Sequence, residues 1–290
     1  MSSKTKGVVV YLLLAFGLAW AFWAIPLLKG LSPRSPVFQL ACLPGGLAPA
    51  VAALVVRRWI TREGFADAGL RLNLRAWRYY LFAWLSPFFI AGVIVALAAA
   101  FRISQPDFSF ERALKIVTPE TDLSASLPPM IRLLLPLLMM VQAILVTPLL
   151  WGEEFGWRSY LQIRLCAERP LWAAVATGLI WGVWHYPLVF AGYQFPDHPR
   201  LGLLVFPVGT VLVSIIFGWL RLRTGSVWPV SLAHASTNAI GASLTVLLFM
   251  GGPHWIWVCY LGVLGWIPLG AICAWIILSG QLRPATEDQA

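Results

Sequence analysis

The sequence predicts an all-α fold, a polytopic transmembrane helical bundle of about eight spans, and three observations carry that reading. The chain is 59% hydrophobic and 11% charged, with a mean hydropathy of +0.77, whereas soluble domains are about half apolar and a quarter charged. Apolar runs close to the roughly 20 residues that cross a bilayer as a helix recur along its length. The Lys and Arg residues fall in the links between those runs, and more heavily in alternate links.

Taken in order, the first run, 8–28, follows Lys4 and Lys6. It is longer than a signal-peptide h-region and has no small-residue cleavage site, so it reads as a retained span. The second, 37–56, contains Pro44-Gly45-Gly46 and Pro49, which free backbone groups and predict a bent or half-unwound helix. The third, 79–101, opens beside Trp77, Tyr79 and Tyr80, aromatic residues suited to the membrane interface. A link from about 102 to 129 carries Asp107, Glu111, Arg112, Lys115, Glu120 and Asp122, with a short interfacial helix expected over 108–117. Further runs follow at 130–152, 170–190, 201–220, 227–249 and 255–279. The organisation reads as one structural unit in three stretches: 1–129 with the first helices and the long link, 130–250 as a core, and 251–290 with the last helix and tail.

If the N-terminus is cytoplasmic, the inner links hold Lys4 and Lys6, then six arginines between Arg57 and Arg78, then Arg158, Arg164 and Arg169, then Arg221 and Arg223, and Arg283. The opposite links hold about half as many, among them Arg34 and Arg132. That bias predicts both termini inside, and the expected location is the plasma membrane of a prokaryote. The bias also explains the net charge of +9 without nucleic acid, because the basic residues form neither a face nor a tail. Cys42, Cys166, Cys259 and Cys273 lack CxxC spacing and indicate neither a disulfide framework nor a zinc cage. His198 and His254 lie in outer links and receive no role.

Three polar segments interrupt the apolar core. Placing an ionisable group at bilayer depth costs roughly 2.5–3.5 kcal/mol, so such groups need partners and usually a task. In Gly152-Glu153-Glu154-Phe155-Gly156-Trp157-Arg158, Glu154 and Arg158 share a helix face at i and i+4, while Glu153 is turned about 100° away. The arginine satisfies one acid and leaves the other available as a general base. In Trp181-Gly182-Val183-Trp184-His185, Trp181 lies one turn before His185 and is placed to hold its imidazole. In His234-Ala235-Ser236-Thr237-Asn238, the two polar side chains are four apart and set to converge on one group, among small residues that let helices approach. Each segment alone reads equally as a helix end, a satisfied core histidine or interhelical glue. Together they assemble a base (Glu153), a second group to orient or deprotonate water (His185) and two neutral donors for an oxyanion (His234, Asn238), the set needed to hydrolyse an amide.

These motifs, Glu153-Glu154-x-x-x-Arg158, the aromatic-x-x-x-His ending at His185, and His234-x-x-x-Asn238, resemble those of the CPBP family. It comprises CAAX prenyl endopeptidases, also called Ras-converting enzymes, and the Abi-type bacteriocin-processing or self-immunity proteins. The resemblance covers about 130–250 and departs at Trp181, where the family usually has Phe. It implies an intramembrane endopeptidase with Glu153 and His185 activating water, His234 and Asn238 binding the oxyanion, and Glu154 and Arg158 in support. The implied partners are the lipid bilayer and a membrane protein or peptide substrate, prenylated in the CAAX case. The resemblance favours a mechanism without cofactor, the alternative being zinc on Glu153, His185 and His234.

Two rivals are a transport or proton-relay protein and a catalytically silent family scaffold. No inverted-repeat hydropathy favours transport. One difficulty concerns depth. His185 lies about 15 residues, roughly 22 Å, into its span, whereas Glu153 ends its own. Either the fourth helix stops inside the membrane beside a water-filled opening, or its end lies elsewhere.

Overall fold

The computed structural model describes residues 3–33, 35–117 and 128–282. Arg34, Glu120, Asp122 and Arg283, named above for the links, lie outside the described residues. Among the described residues all regular structure is helical, as the apolar runs require. Six helices are long and apolar enough to cross a membrane: Ser3–Leu28, Pro36–Ile60, Leu74–Ala100, Pro129–Leu161, Pro199–Thr224 and Trp228–Phe249. Two shorter apolar helices, Pro170–Trp184 and Trp266–Leu278, complete the expected set in the expected order.

The first helix, α1 (Ser3–Leu28), is followed by the broken second span: α2 (Pro36–Gly46), α3 (Ala48–Val55) and a π-turn, Val56–Ile60. The break falls at Leu47, between Pro44-Gly45-Gly46 and Pro49, where proline removes amide donors and clashes with the preceding turn. Next come α4 (Trp77–Ala100) and the short α5 (Glu111–Val117), the latter inside the predicted interfacial segment. The fourth span, α6 (Pro129–Gly156), continues as a π-turn through Trp157–Leu161. It therefore does not end near Glu153, which corrects the boundary read from the apolar run. The run stops at its first charge, but Arg158 is paired, and Trp157, Tyr160 and Leu161 are buried, so the helix goes on.

The fifth span is α7 (Pro170–Trp184), separated at His185 from α8 (Tyr186–Phe190), where Pro187 cannot supply an amide to continue one ladder. The sixth is α9 (Pro199–Thr224). The seventh joins α10 (Trp228–Ser236), a π-turn at Thr237–Ala242 and α11 (Ser243–Phe249), while α12 (Trp255–Val258) and α13 (Trp266–Leu278) divide the last apolar run.

Small residues bring α7 and α9 into close contact. Thr210 Oγ1 donates to the Gly178 carbonyl at 3.0 Å, and Ser214 Oγ to that of Ala174 at 2.8 Å. Hydroxyls bonding across helices replace the hydrophobic drive that lipid surroundings remove. On the other side of α7 an aromatic wedge joins it to α1 and α6: Trp184 stands edge-on to Trp157 at 5.5 Å and to Trp23 at 4.4 Å. Its indole donates to the Ala15 carbonyl at 3.0 Å. These contacts fix the helix that carries Trp181 and His185.

Candidate active site

On α6 the adjacent acids sit in different surroundings. Glu154 and Arg158 are fully buried, and Arg158 Nη1 lies 3.0 Å from Glu154 Oε2, the i, i+4 pair the sequence predicts. Glu154 Oε1 also accepts from Nδ1 of His234, on α10, at 2.7 Å. The Arg158 guanidinium lies over the rings of Trp181 and Phe217, 4.8 and 5.0 Å from their centroids, a cation–π contact that offsets part of its desolvation. The result is an Arg158–Glu154–His234 chain closed off from solvent.

Glu153 is half-buried, and its Oε2 accepts from the Trp181 indole at 3.2 Å. Its Oε1 faces Gly46 at the broken end of α2, 3.8 Å from where a β-carbon would stand. Close approach of the second span is what permits this. A β-carbon on Gly156 would collide with the Pro49 backbone, and one on Gly152 would lie 2.5 Å from Leu47. His185 is half-buried as well, with Nδ1 2.9 Å from the Trp181 carbonyl. A carbonyl only accepts, so Nδ1 carries the proton and Nε2 of the neutral ring keeps its lone pair. Trp184 and Phe206 stand edge-on at 4.7 and 5.1 Å and hold the ring.

Trp181 is the shared neighbour. Its indole N–H meets Glu153, its carbonyl meets His185, and its ring lies 5.2 Å edge-on from that of His234. Glu153, His185 and His234 are thus neighbours of one tryptophan. The bond from His234 to Glu154 was not foreseen, because residue spacing reports partners within one helix and is silent about those across helices. It changes one expectation. With Nδ1–H given to a carboxylate, Nε2 of His234 is a donor only in the imidazolium form, so His234 is not a neutral donor in this arrangement.

Asn238 stands apart. It is exposed, in the π-turn Thr237–Ala242, and no hydrogen bond joins its side chain to Glu153, His185 or His234 among the described residues. The wider i→i+5 turn alters the angular step on which the four-residue spacing relied. Among the described residues no group of three or more His, Cys, Asp or Glu side chains is placed to hold a metal ion.

Membrane-length helices around a buried ion chain and a half-open Glu–His pair define an integral, multi-pass membrane protein with a polar centre between its spans. Residues 133–240 match the family model described as Rce1-like, type II CAAX prenyl endopeptidase. That stretch contains all three motifs, and the match supports a likeness to the CPBP family of CAAX-type intramembrane proteases. Comparison with curated proteins gave no match.

Proposed function

We propose that the chain is an endopeptidase cutting peptide bonds of membrane-associated substrates, with Glu153 as the base. Glu153 takes a proton from water as the water oxygen adds to the scissile carbonyl. The oxyanion is met by Nε2–H of the His234 imidazolium and by the Asn238 amide once substrate is seated. Collapse breaks the C–N bond, and the leaving amine takes the proton from Glu153. His185 offers its Nε2 lone pair to the same water, and Glu154 and Arg158 orient His234 from behind, as the buried acid of a hydrolase triad orients its histidine.

The observation that carries the reading is the meeting of Glu153, His185 and His234 around Trp181. The arginine-rich end of the bundle is read as cytoplasmic, so substrate C-termini would approach from that side. No cofactor is needed for these steps.

The test compares membrane-protein termini by proteomics in cells carrying the wild-type chain and Glu153→Gln, alongside cleavage of a prenylated CAAX-type peptide by purified protein. The variant should fold normally and lose processing entirely. Unchanged processing removes Glu153 as the base.

A further inference from the structure

The acid-bearing helix ends on an arginine that comes from another span. The last carbonyls of any helix lack amide partners, and here they are taken up one by one. Trp157 O accepts from the Gln162 amide at 2.8 Å, Tyr160 O from Arg164 Nη1 at 3.0 Å, and Ser159 O from Nη2 of Arg57 at 2.7 Å. Arg57 belongs to the π-turn of the second span and is fully buried. Its other terminal nitrogen, Nη1, reaches the Gly64 carbonyl at 2.6 Å and Asp67 Oδ1 at 2.7 Å. The guanidinium is thus a rigid fork, one tine on the 61–76 loop and one on the helix that carries Glu153.

Asp67 anchors the outer tine. Its Oδ2 meets Arg164 at 3.2 Å and its carbonyl meets Arg221 Nη2, from α9, at 2.7 Å. Glu63 pairs with Arg164 beside it. A lysine ammonium is a single point charge on a flexible stem and does not reproduce such a fork. Positive charge at a helix C-terminus is also favoured by the aligned peptide dipoles.

We propose that Arg57 is a positioning residue for the site: by capping the Ser159 carbonyl it fixes the turn that carries Arg158, and through Arg158 the Glu153–Glu154 pair. It touches no reacting atom. The proposal rests on the protease reading for its catalytic half, and its structural half stands apart from that reading.

The experiment uses the full chain in nanodiscs, as Arg57→Lys, with Arg57→Gln as a second variant should the first not fold, and Asp67→Asn. Hydrogen exchange is read over 154–164 and over α9, and kcat and KM are measured on the prenylated peptide. In Arg57→Lys, exchange over 154–164 should rise about tenfold with α9 unchanged, and kcat should fall about tenfold at constant KM, the loss expected from one charge-assisted hydrogen bond. Asp67→Asn, which leaves the bond to Ser159 in place, should loosen only the 61–76 loop and keep kcat within about twofold. A merely structural cap would lower thermal stability and spare kcat. Unchanged exchange over 154–164, unchanged kcat in the folded Arg57 variant, or an equal kcat loss in Asp67→Asn overturns the proposal. Should the wild-type chain cleave nothing, the protease reading fails, while the exchange measurement still decides whether Arg57 holds the turn.

Discussion

Glu153 and Glu154 are neighbours in sequence and opposites in circumstance. Glu154 answers to Arg158 and His234 in full burial, and Glu153 has one indole donor and an open side. Removing the charge of Glu154 leaves a buried guanidinium uncompensated, a loss of about 3–5 kcal/mol for buried pairs broken on one side. Glu154→Gln should therefore lower the melting temperature sharply, whereas Glu153→Gln should leave it nearly unchanged. Thermal unfolding of the two purified variants checks this, and equal destabilisation would contradict the division of labour. At this scale the sequence is legible only along one helix. The Arg158 partnership follows from i, i+4 spacing, but the pairing of His234 with Glu154 and the placement of Trp181 between two motifs depend on how helices dock. Asn238 shows the same limit, since it lies exposed in a π-turn that α-helical counting does not anticipate.

At the scale of elements, apolar run lengths locate the six membrane-length helices and the two shorter apolar ones but misplace their ends wherever a paired charge continues a helix, as at Arg158, or a proline interrupts one, as at Pro187. The fourth helix also presents a second face. Leu81, Trp84, Ile144, Thr147, Pro148 and Trp228 are among the residues around an apolar groove of about 470 Å³. Trp151, two residues before Glu153, stacks on Trp228 with ring centroids 6.3 Å apart. Under the proposed protease reading, the lipid chain of a prenylated substrate would lie in this groove. Filling it with Leu81→Trp should raise KM for a prenylated peptide roughly tenfold, the loss of burying about two methylenes. KM for an unlipidated peptide of the same sequence should not move. An equal effect on both peptides would exclude the groove from lipid recognition.

Across the whole molecule, the arginine-rich links meet at one end of the bundle: Arg57, Arg164 and Arg221 all contact Asp67. The alternating charge bias anticipates that these links share a side, though not that one aspartate joins them. Burial alone would push the Asp67 carboxyl up. The hydrogen bond and charge of Arg57 and the charge of Arg164 outweigh that and hold it below the usual carboxylate range. A carboxyl depressed by folding contributes stability that is complete above its unfolded value of about 3.9 and is lost as pH falls through the lower folded one. Melting temperature should thus drop on acidification below about pH 4. Asp67→Asn should begin lower at neutral pH and show a smaller acid drop, and parallel profiles for the two proteins would refute the assignment.

The shortness of α7 has its own consequence. Its 15 residues rise roughly 22 Å, against about 30 Å of hydrocarbon, while the neighbouring span Pro129–Leu161, at 33 residues, is long enough to tilt or protrude. A helix of the shorter reach sets His185, at its far end, short of the opposite face of the hydrocarbon, so the histidine is held at depth by the length of its own helix.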